Sequence, residues 1–142
     1  MKFISTRGIS APVGAAQAIS QGIAEDGGLF VPAEFPVVTP EELNQMLEME
    51  YAERSAFVLS KYVTDYDYDK LKTACEKAYA TFDGDAAPLV KVDKNKYVLE
   101  LFHGPTLAFK DIALTLLPFL LREGCDICGV KEDVLILVAC LI

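Results

Sequence analysis

Residues 134–142 read VLILVACLI, nine positions without a polar side chain. A run of that length, rich in branched aliphatic residues, suits a strand buried on both faces of a parallel sheet. It follows a helical pattern and a loop, and helix, loop, buried strand is half of an α/β unit. The other long apolar run, Ile112–Leu121, is interrupted by Thr115 and Pro118. Neither reaches the roughly 20 residues that span a bilayer.

The rest of the chain divides around Asp83-Gly84-Asp85. Before it the pattern is mainly helical, so residues 1–85 are expected to form one module. A short strand is expected over residues 2–5 and a small-residue helix over Ala15–Gln21. Gly22–Pro32 is turn-rich, with Asp26-Gly27-Gly28 as punctuation. Thr39, Pro40 and Glu42 have the spacing of a capping box with proline at the first helical position. Leu43, Met46 and Leu47 then follow at helical intervals. Two more helices are expected over Tyr51–Val63, with Ala52, Ser55, Ala56 and Leu59 on one face, and over Asp67–Ala80, with Leu71, Ala74 and Ala78. After the division, Pro88–Val92 and Tyr97–Phe102 read as a hairpin joined by Asp93-Lys94-Asn95-Lys96. A helix from about Asp111 to Arg122 follows, kinked or shortened by Pro118 and ended by Gly124. Residues 86–142 thus read as the opening of an α/β domain.

The 142 residues carry 21 acidic and 13 basic side chains, net −8. That balance argues against nucleic acid or an anionic membrane as partner, since both call for a basic patch. A small anionic ligand needs only a few local donors and stays open. MKFISTRGIS at the start lacks an apolar core with a small-residue cleavage site, so a cytoplasmic location is expected. Of the four cysteines, Cys125 and Cys128 form a C-x-x-C. A zinc site needs a second ligand pair, and Cys75, Cys140 and His103 match no common finger spacing. A redox C-x-x-C opens a helix, whereas this one follows a helix and Glu123-Gly124. Reduced cysteines near a loop, and no metal, are expected.

FHGPTLAFKD, residues 102–111, holds the chain's only histidine, His103, and a lysine among apolar residues. Lys110 stands where a helix is expected to begin. Free N–H groups at that end disfavour a cation, and apolar neighbours disfavour it further. An uncharged amine is the form that attacks a carbonyl carbon. Asp111 works the other way if it pairs with the ammonium, and the sequence leaves both arrangements open. Lysines at helix starts also commonly extend into solvent, and Gly104-Pro105-Thr106 also reads as a plain turn.

The longer segment ELFHGPTLAFKDIAL resembles the cofactor-lysine segment of the threonine synthase family, in the branch with an N-terminal helical domain. STRG near the start, AISQGIAEDGGLFVP and MEYAERSAFVLSKY resemble the same family in the same order. The resemblance runs to Ala139. It implies a fold-type II pyridoxal-phosphate enzyme that converts O-phospho-L-homoserine and water to L-threonine and phosphate. It implies that Lys110 holds the cofactor covalently and then shuttles protons, with Phe109 and Asp111 flanking it at the cofactor. His103 and Thr106, with Gly104 and Pro105, would form the loop leading in, near the site. Other fold-type II enzymes, such as threonine dehydratase or cysteine synthase relatives, also place a lysine before a helix. They lack the long helical module and the HGPT lead-in.

The family's next motif is a Ser-Gly-Asp-Thr-Gly-like loop whose N–H groups cradle the cofactor phosphate. Cys140-Leu141-Ile142 do not match it. The sequence therefore reads as an N-terminal piece, about the first third, of such an enzyme, with activity expected of the full-length protein, and neither turnover nor tight binding of pyridoxal phosphate expected of this chain alone. Two other readings compete. One is a non-catalytic interaction module that self-associates through the exposed C-terminal strand, since unpaired strand edges invite pairing. The other is a metal or redox role for Cys125 and Cys128.

Overall fold

The structure, a computed structural model, describes residues 1–136. Strand β1 (Phe3–Ser5) pairs antiparallel with β2 (Phe30–Pro32), with Phe3 opposite Pro32 and Ser5 opposite Phe30. The turn-rich stretch therefore ends in a strand that sequence patterning passed over. Three residues ending in proline carry too little alternation to register as one. Between them lies helix α1 (Ala15–Gln21), as expected. No side chain of its own caps α1; the Asp65 carboxylate accepts from the Ala16 N–H instead, at 3.0 Å.

Helix α2 (Pro40–Leu47) starts on the expected capping box. Thr39 Oγ1 accepts from the Glu42 N–H, and Glu42 accepts from the Thr39 N–H at 2.9 Å. The helix buries none of its residues, and Leu43 and Leu47 are exposed. It is held from outside by the Lys61–Glu42 ion pair at 2.6 Å. Helices α3 (Tyr51–Ser60) and α4 (Tyr68–Tyr79) follow, with Asp67 capping α4 through the Lys70 N–H. Their inward faces are those the spacing predicts, Ala52, Ala56 and Leu59 from α3 and Leu71, Ala74 and Ala78 from α4. Cys75 is the largest fully buried side chain. Burial pushes its thiol up to about 11, which suits a packing residue better than a reactive one.

Strands β3 (Leu89–Asp93) and β4 (Lys96–Leu99) form the expected antiparallel hairpin, with an irregularity between Lys91 and Asp93. Every residue of both strands is exposed.

The helix expected over 111–122 is instead two. Helix α5 (Asp111–Leu114) stops after four residues, and α6 (Leu117–Cys128) restarts with Pro118 in its first turn. Proline lacks the N–H that would reach the Leu114 carbonyl but fits a first turn at no cost. Gly124 does not end this helix. It lies buried inside α6, and Gly129, at φ +69°, closes it. A Cβ on Gly124 would lie 2.6 Å from Tyr66 Oη and 3.1 Å from the Ala16 carbonyl oxygen, so α6 packs on α1 where no side chain fits. The Tyr66 hydroxyl donates to the Leu120 carbonyl at 2.8 Å beside this contact. Cys125 and Cys128 consequently sit in the last turn of α6 rather than after it. Cys125 is buried and Cys128 exposed.

The buried cluster joins Ala15, Ala56, Val63, Leu71, Cys75, Ala78 and Leu116, with Leu120 packed against it. One core thus draws on residues from both sides of the division expected at residue 85. Of the expected terminal strand, Val134, Leu135 and Ile136 are exposed and in no strand; residues 137–142 lie outside the described residues. No helix among the described residues is long and apolar enough to cross a membrane.

Candidate functional site

The segment after β4 returns to the end of α4, where the Asp83 N–H donates to the His103 carbonyl at 3.0 Å. The imidazole of His103 meets Glu100 at 2.8 Å between Nε2 and Oε2, and the Phe102 ring stacks on it at 4.7 Å. Glu100 was not singled out by sequence reasoning, although its i, i+3 spacing from the chain's only histidine is the signal that pairs them.

Residues 104–107 then make a tight turn, closed by the Leu107 N–H on the Gly104 carbonyl at 3.0 Å. Pro105 sits at the position where its fixed φ favours such a turn. Asp111 is turned in under this loop and is only 4% exposed. Its Oδ2 accepts the Thr106 N–H at 2.7 Å and its Oδ1 accepts the Thr106 hydroxyl at 2.6 Å. The Thr106 hydroxyl, aided by that N–H, holds the Asp111 carboxyl below the usual carboxylate range. A Cβ on Gly104 would collide with the Asp111 side chain, which explains a glycine there.

Lys110 and Phe109 lie on the outside of the same loop. Both are exposed, and so is Leu107. The apolar enclosure expected around Lys110 is therefore absent among the described residues, because its apolar neighbours point into solvent with it. With only four residues in α5, few peptide dipoles align behind Lys110. The pairing of Lys110 with Asp111 that the sequence left open is not made: Asp111 faces Thr106, and no ion pair involves Lys110 among the described residues. An unpaired, accessible primary amine on an anchored turn suits covalent attachment of an aldehyde.

Two open grooves lie on the described surface, the first of them bordered by α5. One, of about 540 Å³, is almost wholly apolar and runs between Met46, Val58, Leu59, Tyr79, Ile112 and Leu116. The other, of about 370 Å³, lies between α4 and α6 and carries Lys70, Lys77 and Arg122 with Asp69, Glu123 and Asp126. Lys110 lines neither. No three His, Cys, Asp or Glu side chains gather as a metal site among the described residues.

Comparison with known proteins places this loop in context. Residues 2–79 match the family described as the threonine synthase N terminus. The threonine synthase of Pseudomonas aeruginosa is 43% identical over 126 residues, 85% of this chain and 26% of that protein. The threonine synthase of Schizosaccharomyces pombe is 37% identical, over 82% of this chain and 23% of that protein. Among solved structures, a PLP-bound threonine synthase from Brucella melitensis superposes with a TM-score of 0.84 at 40% identity, over 91% of this chain and 28% of the other. The α/β class expected from the sequence is thereby upheld. The chain spans about a quarter of the length of these relatives.

Proposed function

The chain belongs to the threonine synthase family, and from that premise we propose that it supplies the cofactor lysine of a pyridoxal-phosphate-dependent threonine synthase, Lys110. The observation that carries this reading is the exposed Lys110 amine, unpaired among the described residues, on a loop whose neighbouring carboxylate faces Thr106. The substrate proposed for the whole enzyme is O-phospho-L-homoserine, converted with water to L-threonine and phosphate. When bound, pyridoxal phosphate supplies an electron sink for this chemistry. Lys110 Nζ would hold the cofactor through its aldehyde and would be the group that takes and returns protons at the substrate's Cα and Cβ. Phe109, beside it in sequence and exposed, is available to pack against the cofactor. His103, held by Glu100 and Phe102, and Thr106, held by Asp111, shape the approach. Threonine formation is assigned to the whole enzyme.

Borohydride reduction of the whole enzyme after incubation with pyridoxal phosphate tests the assignment. One adduct is expected, mapped by mass to Lys110 and lost in Lys110→Ala. Label spread over the surface lysines without preference for Lys110 would sink it.

A second reading, non-catalytic self-association, gains support from the hairpin. Leu89, Val92, Tyr97 and Leu99 are more than half exposed on it, and an isolated two-stranded hairpin is marginal in water. We expect the chain to sediment as a concentration-dependent oligomer, with Val92→Lys plus Leu99→Lys shifting it towards monomer. A monodisperse monomer at all concentrations would remove this reading.

A further inference from the structure

We propose that Asp111, Thr106 and Gly104 form a clamp that positions Lys110, with Asp111 acting through the backbone and not as a cofactor ligand or as the partner of the lysine's charge. The inference rests on Lys110 being the cofactor lysine.

The clamp is built from three fits. Thr106 gives both of its donors to the two oxygens of Asp111, at 2.7 and 2.6 Å. Hydrogen bonds to an ionised carboxylate are about twice as strong as neutral ones. Gly104 leaves the space that the Asp111 side chain occupies, and a Cβ there would sit 2.5 Å from Oδ2. The base of the loop is tied down as well, by the Asp111 N–H on the Ala108 carbonyl at 3.0 Å and by the Tyr79 hydroxyl on the Ile112 carbonyl at 3.2 Å.

These ties leave residues 107–110 as a short arch between two fixed points. Leu107 holds φ +58° at its crest. That left-handed conformation is strained for a leucine and persists where its surroundings impose it. Asp111 opens α5, and successive side chains on a helical turn point about 100° apart. Fixing Asp111 inward therefore directs Lys110 outward. Asp111 faces Thr106 and makes no ion pair with Lys110 among the described residues, so the clamp holds the Lys110 backbone while leaving its amine accessible.

The test reads order at Lys110 by nitrogen-15 relaxation, independently of any cofactor. In the wild-type chain the Lys110 amide should show an order parameter near 0.85, and in Thr106→Val and Asp111→Asn it should fall below about 0.6. The amides of α3 and α4 should not change, and Thr106→Ser, which keeps both donors, should preserve the wild-type value. A role confined to overall stability would lower the melting temperature without this local loss or its rescue. A mobile Lys110 in the wild type, or an unchanged one in both variants, would overturn the clamp. So would a serine variant that behaves like the valine one. The trapping experiment separates the two claims: label that avoids an ordered Lys110 removes the cofactor reading and leaves the clamp, whereas label on a disordered Lys110 does the reverse.

Discussion

Gly124→Val is expected to detach α6 from α1 and to lower stability by about 3 kcal/mol, the upper part of the usual range for overpacking. The neighbours of the missing side chain are the Tyr66 hydroxyl at 2.6 Å and the Ala16 carbonyl and Cα at 3.1 and 3.6 Å. A flexible side-chain tip can swing away from a new methyl group, but the backbone of α1 cannot. Tyr66 cannot yield freely either, because its hydroxyl is engaged on the Leu120 carbonyl. Valine must therefore push the helices apart, stripping contacts from Ala15 and from Leu120 at the edge of the core. The effect would also reach the candidate site, since α5 leads directly into α6. Urea unfolding of Gly124→Val beside Gly129→Ala provides the comparison. Gly129→Ala forces alanine into a left-handed helix cap and should cost only about 1 kcal/mol. Equal losses would mean that the helices do not meet as closely as the structure places them.

That glycine also marks what the sequence could and could not disclose. Position after a helical run makes a glycine look like a terminator, because local patterning has no knowledge of a partner helix. Only the approach of α1, more than one hundred residues earlier, makes Gly124 a packing residue and leaves Gly129 to end the helix. Elements whose cause is local were legible: the Thr39 capping box, the inward stripes of α3 and α4, and the hairpin with its polar turn. Strand β2 was not, because its register comes from pairing with β1 across the intervening helix. The site divides in the same way. Motif resemblance singled out Lys110, Asp111 and Thr106, but the direction Asp111 faces is a tertiary fact. Composition around Lys110 suggested an apolar enclosure, and the structure turns those apolar residues outward.

Asp26→Asn is expected to loosen the β1–β2 end of the molecule and to flatten its response to acid. The Asp26 carboxylate gathers donors from three segments. Its Oδ1 accepts the Ser5 hydroxyl at 2.6 Å and the Gly28 N–H at 2.9 Å; its Oδ2 accepts the N–H groups of Ile9 and Ser10 at 3.1 and 3.0 Å. The Ser5 hydroxyl first, then the three N–H groups, hold this carboxyl far below the usual carboxylate range. Asparagine keeps the shape but offers one acceptor and one donor. An NH₂ turned to Ile9 and Ser10 meets two N–H donors, and one turned to Ser5 and Gly28 can donate to the Ser5 hydroxyl but meets the Gly28 N–H, so at least one bond is replaced by repulsion either way. The sign of the pH effect follows from the lowered value. The contribution of Asp26 is complete above the ordinary carboxylate value, about 4, and is lost as the pH falls towards the folded-state value. The wild type should therefore exceed Asp26→Asn in urea midpoint at about pH 6, and the gap should narrow steadily towards about pH 2. Amide exchange in β1 and β2 should be faster in the variant at the higher pH, with α4 unaffected. A gap that stays constant across this range would mean that the donors are satisfied as well by a neutral side chain, and that the charge of Asp26 does not hold these three segments together.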